Sequence, residues 1–139
     1  MMRTLVLARN LGERLGGYAR RAYPQEACGV LLGKSAGDDR IVISVHQARN
    51  LNAERPRDRY ELDPGDFLAA DEEARKTGLD IVGIWHTHPD HPAQPSSTDR
   101  AAAWPGWSYV IVSVSCDGVG DVRSWCLSDD RFEEEAIRS

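Results

Sequence analysis

His86-Thr87-His88-Pro89-Asp90-His91-Pro92-Ala93-Gln94-Pro95-Ser96-Ser97-Thr98-Asp99 follows directly on an apolar run, Leu79 to Trp85. The run reads as a buried strand. Alternate side chains of a strand share a face, so His86 and His88 project together from its end. A metal would thus meet two imidazoles at once. A third ligand must come from elsewhere, and Asp99 is the best local candidate, because the loop between strand and aspartate is long enough to fold back. Two histidines and one carboxylate leave one position of a zinc ion open. That openness marks catalytic rather than purely structural sites, since water binds there and is activated. The stretch therefore reads as a candidate hydrolytic centre. An HxH dipeptide alone is a weak motif, and Ser96-x-x-Asp99 also has a structural explanation as a helix cap with an acidic residue at the third helical position. Capping and ligation are compatible.

Working outward, Asp63 caps a helix that has Pro64 in its first position, Phe67, Ala70 and Ala74 on one face, and Gly78 as its stop. Upstream, the sequence predicts a short strand over Thr4 to Ala8 and a helix started by Asn10 and Glu13. Leu11, Leu15, Tyr18, Ala19 and Ala22 carry its helical spacing, and Pro24 ends it. Cys28 to Gly33 forms a buried strand, and Gly37-Asp38-Asp39 turns it into a second, Ile41 to Val45. Asn50 to Arg59 reads as an exposed loop, with Tyr60-Glu61-Leu62 extended after it. Pro89, Pro92 and Pro95 stiffen the loop after the histidines and keep it out of a ladder. A short helix is expected from Ser96 to Pro105-Gly106, then strands Trp107 to Val114 and Asp121 to Leu127. Phe132 and Ile137 flank Glu133-Glu134-Glu135, leaving the tail open between an edge strand and a solvated end.

At 139 residues, with 41% hydrophobic and 28% charged residues, the chain is one domain, 1–139, with enough length for a real core. No apolar run is long enough for a bilayer, and the N-terminal run is too short for a signal peptide, so no membrane partner and a cytoplasmic location are expected. A net charge of −5 argues against a nucleic-acid partner. Cys28, Cys116 and Cys126 are odd in number and form no CxxC pair, which argues against a disulfide framework, a zinc ribbon and the zinc deaminases. Cys116 and Cys126 read as buried thiols, and Cys28 stays open.

A hydrolytic metal centre also needs a base outside its ligand set, to take a proton from water and pass it to the leaving amine. Nine glutamates are present, and periodicity does not choose among them, though Glu26 is distinctive in preceding a buried strand. Pro24-Gln25-Glu26-Ala27-Cys28-Gly29-Val30-Leu31-Leu32-Gly33, followed by His86-Thr87-His88-Pro89 and Pro95-Ser96-Ser97-Thr98-Asp99, resembles the JAMM (MPN+) metalloprotease family. That family's motif is a distant glutamate, HxH, seven residues and SxxD, and every element is present here. The resemblance implies an α/β fold of the MPN/JAMM, cytidine-deaminase-like kind. Its central mixed, curved sheet carries two main helices and a short helix after the metal loop. It further implies that His86, His88 and Asp99 bind one Zn2+ ion, and that Glu26 holds the water as general base and later acid. Ser96 would support the oxyanion.

Within that family the chain looks like the small prokaryotic-type members that act on ubiquitin-like sulfur-carrier proteins, since it is close to a bare catalytic domain. The implied substrate is the C-terminal tail of such a carrier, cleaved after paired glycines. Two other readings stay open: a non-catalytic MPN-type scaffold, and a zinc hydrolase of small amides or cysteine adducts. The oligomeric state is not legible. His46 reads as packing at a strand end and His91 as a solvated loop residue. Trp85, Trp104 and Trp107 read as core, with a rim for a substrate tail as the alternative, and Arg49, Arg55, Arg57 and Arg59 as a solvated group, with a hold on an acidic partner as the alternative.

Overall fold

Cys28 to Gly33 and Val82 to Pro89 are buried at every position, so the strands they form are covered on both faces. A computed structural model describes residues 3–139 and contains the elements β1 (Thr4–Val6), α1 (Arg9–Ala22), β2 (Cys28–Ala36), β3 (Asp39–Ala48), α2 (Pro64–Thr77), β4 (Asp80–Pro89), α3 (Ser97–Ala102), β5 (Ser108–Ser115), β6 (Gly118–Ser128) and β7 (Arg131–Arg138). On one face Leu11, Leu15 and Ala19 of α1 join Leu31, Trp85, Val110 and Val112. On the other, Ala70 and Ala74 of α2 join Val30, Leu32, Ile84 and Tyr109. The sheet is mixed and strongly curved, in the order β3-β2-β4-β5-β6-β7, and β1 closes it by pairing in parallel with both β3 and β7.

The α2 signals hold residue by residue. The Asp63 carboxylate accepts from Gly65 N, Pro64 opens the helix, and Gly78 ends it at φ 71°, a left-handed conformation that glycine adopts without cost. The α1 start differs from expectation. The helix begins at Arg9 after Ala8, with no side-chain cap, and Asn10 lies inside it. Burial of Leu7 and Leu11 in one cluster fixes this end without capping chemistry. The ladder also runs further than the prolines suggested. β4 continues through both histidines to Pro89, which pairs with Val114 of β5 at the strand's last position, where a missing N–H costs least. The tail forms β7, with a partner on each side.

The buried-thiol expectation is reversed at Cys116 and met only in part at Cys126. Cys28 is buried, Cys116 is exposed in the turn between β5 and β6, and Cys126 is half-buried. A register shift between Val112 and Val114 leads β5 out into that turn. Cys126 instead belongs to a polar cluster inside the barrel wall. Its thiol donates to Glu135 Oε2 at 3.0 Å, Arg40 Nη1 lies 3.1 Å from its sulfur and donates to Ser108 Oγ at 2.9 Å, and Ser124 Oγ donates to Glu135 Oε1 at 2.6 Å. Arg40 and Glu135, both buried, form an ion pair at 3.8 Å. The cluster joins β3, β5, β6 and β7 across the closure.

Breaking a buried pair from one side leaves an uncompensated charge, which typically costs about 3–5 kcal/mol. Glu135→Ala is therefore expected to lower stability by about that amount in urea unfolding, and a variant as stable as the parent would show that the cluster does not hold the closure.

Candidate metal centre

Thr87 fixes the geometry of the centre from between the two histidines. Its N–H donates to Ala27 O at 3.0 Å, and its hydroxyl accepts from Ala27 N at 2.9 Å. This two-bond tie places Glu26, the preceding residue, beside the end of β4. Trp85 anchors the same strand on the opposite face. Its ring stacks on Tyr18 of α1 at 5.3 Å and its indole N–H donates to His46 O at 3.0 Å. Gly29 permits that crossing, because a Cβ there would lie 1.9 Å from His46 O and 2.4 Å from the indole nitrogen.

His86, His88 and Asp99 converge. His86 Nε2 and His88 Nε2 lie 3.1 Å apart, and Asp99 Oδ2 is 3.3 Å from the first and 3.1 Å from the second. Metal bonds of about 2.0–2.2 Å in a tetrahedron set neighbouring donor atoms roughly 3.3 Å apart, so this triangle fits a zinc-sized ion. The tautomer agrees. His88 Nδ1 faces Pro92 O at 2.8 Å, and a carbonyl only accepts, so Nδ1 carries the proton and leaves the Nε2 lone pair for a ligand role. His86 Nδ1 is buried without a hydrogen-bond partner, and Tyr60 stacks on its ring at 4.5 Å.

Ser96 caps α3 by accepting from Asp99 N at 3.0 Å, while Asp99 Oδ2, the oxygen that faces both imidazoles, accepts from Ser96 N at 2.8 Å. One residue pair thus combines capping with orientation of the carboxylate that faces both imidazoles, and the exposed Ser96 hydroxyl keeps its proton free.

The electrostatics separate the two carboxylates. Burial works against the Asp99 charge, but the adjacent His86 and His88 imidazoles and the Ser96 N–H outweigh it and hold the carboxyl well below its ordinary range. Glu26 has no such donors. Its Oε1 is buried without a partner, and burial, aided by the Asp99 and Asp58 charges, pushes the carboxyl up to about 8. Burial lowers His86 against the pull of Asp99, whereas Asp99 and Pro92 O raise His88 against the burial penalty. Burial together with Glu26 pushes the Cys28 thiol up to about 12, which removes it as a nucleophile.

A groove of about 910 Å³ opens beside Asp99, lined by Tyr60, Leu62, Phe67, Leu68, Trp104 and Trp107 among others. Trp85 is core as expected. Trp104 is not, being 67% exposed on the groove rim, and Trp107 is half-buried against Phe67. His91 is exposed, and His46 near the end of β3 bonds to Ser44. Arg49 is held by Asp63 and Asp66, and Arg55 by Asp58, while Arg57 and Arg59 are exposed. Sequence reading missed Thr87 and Tyr60. The position of Thr87 inside HxH was the available signal for the first.

Residues 9–128 match the model of the family described as prokaryotic homologs of the JAB domain. The chain belongs to that family. A desampylase of Haloferax volcanii is 42% identical over 115 residues, which cover 82% of this chain and 78% of that protein. A CysO-cysteine peptidase of Mycobacterium tuberculosis is 34% identical over 134 residues, covering 96% of this chain and 89% of the relative. The solution structure of a protein from Desulfitobacterium hafniense superposes with a TM-score of 0.85 at 36% identity, over 96% of this chain and 90% of that one. This JAB-family chain is accordingly a JAMM-type hydrolase, with the mixed curved sheet and three helices of the fold. Among the described residues no helix is long and apolar enough to cross a membrane.

His88→Ala removes one corner of the ligand triangle, so elemental analysis of the purified variant should find the metal lost, whereas full occupancy would remove His88 from the ligand set. In the metal-free protein Glu26 keeps its proton up to about pH 8, where the unfolded chain has already lost it from about 4.5. The native state then binds more protons than the unfolded one, and stability falls as pH rises through that window. Thermal melts of metal-free Glu26→Gln should lack this part of the slope, and parallel curves for the two proteins would contradict the raised carboxyl.

Proposed function

We propose that this chain is a zinc-dependent peptidase that cleaves an amide bond at the C-terminal tail of a ubiquitin-like sulfur-carrier protein, after its paired glycines. The observation that carries the reading is the convergence of His86, His88 and Asp99 together with a buried, unpartnered Glu26 oxygen, next to an apolar groove that Asp99 lines. The relatives' names, desampylase and CysO-cysteine peptidase, support a protein substrate of this class. The groove is the seat for an extended tail, since Tyr60, Leu62, Phe67 and Trp107 offer apolar contact beside Asp99 in a volume of about 910 Å³. The intact ligand triangle argues against a non-catalytic scaffold. Three free thiols agree with action in the reducing cytoplasm.

His86, His88 and Asp99 would hold zinc, which when bound supplies Lewis acidity toward water and the scissile carbonyl. Glu26 accepts the proton of the attacking water and delivers it to the leaving amine. Its buried Oε1 has no other hydrogen-bond partner to compete for that proton. The Ser96 hydroxyl, fixed by its cap bond to Asp99 N, donates to the oxygen that gains charge as the carbonyl becomes tetrahedral. The apolar groove excludes water from the tail and strengthens these interactions.

The test is cleavage of a carrier protein extended beyond its two C-terminal glycines, with products read by mass spectrometry and free dipeptides as comparison. Glu26→Gln should retain one zinc per chain and lose at least about a hundredfold in rate, and Ser96→Ala about a hundred- to a thousandfold. Full turnover by Glu26→Gln would sink the role assignment, and equal rates on dipeptides would favour a hydrolase of small amides.

A further inference from the structure

Asn50 has no side-chain role in the chemistry described, yet its amide is saturated. Nδ2 donates to Glu26 O at 3.2 Å and to Arg59 O at 3.1 Å, while Oδ1 accepts from Asn52 N at 3.0 Å and from Glu61 N at 2.9 Å. Two carbonyls on one side and two N–H groups on the other fix the amide orientation without ambiguity. The partners belong to different parts of the site. Glu26 is the proposed base. Arg59 and Glu61 flank Tyr60, whose ring stacks on the candidate ligand His86 and lines the apolar groove. The backbone closes the same circuit: Glu26 N donates to Pro56 O at 2.7 Å and Leu51 N to Glu61 O at 2.7 Å.

We infer that Asn50 is a positioning residue, which couples the base Glu26 to the groove wall and, through Tyr60, to the ligand His86. The inference rests on the proposed role of Glu26 as base. Glu26 precedes β2 and is not held by a strand ladder on both sides of its backbone. Its carbonyl and amide are instead held by Asn50 and Pro56, at the two sides of one loop. That loop, 51–61, contributes Asp58, Arg59, Tyr60 and Glu61 to the groove. The Asn50 side chain therefore ties the position of the base to the loop that lines the groove, alongside the backbone bonds of Pro56 and Ala27. That position matters, because misplacement by about 1 Å can cost a hundredfold in rate.

Asn50→Asp is the discriminating variant. It keeps the size and the acceptor for the Asn52 and Glu61 amides, but sets an oxygen against the carbonyls of Glu26 and Arg59. Ser124→Ala serves as the comparison, because its hydroxyl supports the remote Arg40–Glu135 cluster and its loss destabilises without touching the site. With the zinc-loaded proteins and the extended carrier as substrate, kcat of Asn50→Asp is expected to fall about 10- to 100-fold. Zinc content should stay at one per chain, KM should change less than kcat, and Ser124→Ala should keep kcat. Amide hydrogen exchange at Glu26, read by NMR without substrate, should quicken at least about tenfold in Asn50→Asp. A kcat equal to that of Ser124→Ala, a loss lying wholly in KM, or unchanged exchange at Glu26 would overturn the inference. If the parent protein fails to cleave the carrier, the proposed function fails, and the exchange measurement still decides whether Asn50 holds Glu26.

Discussion

Two hydrogen bonds between Thr87 and Ala27 join the strand that carries the histidines to the residue after the glutamate. Each contributes only about 1 kcal/mol net, so they do not create the register. Burial does that. Trp85 and Leu31 lie in the α1 core while Val30, Leu32 and Ile84 lie in the α2 core, and a one-residue slip of β4 would exchange these faces. Once that slip is excluded, His86 and His88 must face α2, and Thr87 must meet Ala27. The placement of the candidate site residues thus follows from core packing, transmitted through one threonine.

Within the site the same burial acts on two carboxylates with opposite results. Asp99 sits at the start of α3, where the Ser96 amide and two imidazoles converge on Oδ2, and its charge is retained. Glu26, on which the Asp99 charge acts, has a buried oxygen with no partner, so its charge is penalised. Pairs of titratable groups driven apart by their surroundings separate the roles of ligand and acid-base group. The short helix matters more than its length suggests, because its capping box lends one aspartate oxygen both an orienting bond and a lowered pKa.

The legible parts of the sequence were those written in local chemistry. Asp63-Pro64 and Gly78 mark both ends of α2 by capping and backbone rules that need no tertiary context, and HxH declares its geometry through the period of a strand. Other features depended on distant partners. β7 is a strand because β1, more than a hundred residues earlier, pairs with Ala136 to Arg138. Asn10 lost the helix start to the burial of Leu7 and Leu11. Cys116 and Cys126 sit in extended-looking runs, but a register shift in β5 and the Arg40–Glu135 cluster decide their surroundings. The choice of Glu26 from nine glutamates came from family resemblance, since nothing in its immediate neighbours states that its side chain is buried and unpartnered.

The groove and the base share a boundary made of loop rather than of helix or strand. Regular elements satisfy their backbone groups internally and keep their spacing whether or not a substrate is present. The segment 51–61 has little such support. Its shape depends on the Asn50 amide, the Arg55–Asp58 pair and the contact of Pro56 O with Glu26 N. A loop held in this way is specific without being rigid, and loops on a rigid scaffold are where binding residues concentrate. Under the proposed function, its coupling to Glu26 would give tail binding a route to the reaction: contacts that press Tyr60 and Leu62 into place would also set the loop that holds the proposed base. Binding energy from apolar tail residues can then be expressed in the rate of the bond-breaking step as well as in affinity, which is how remote substrate contacts contribute to catalysis.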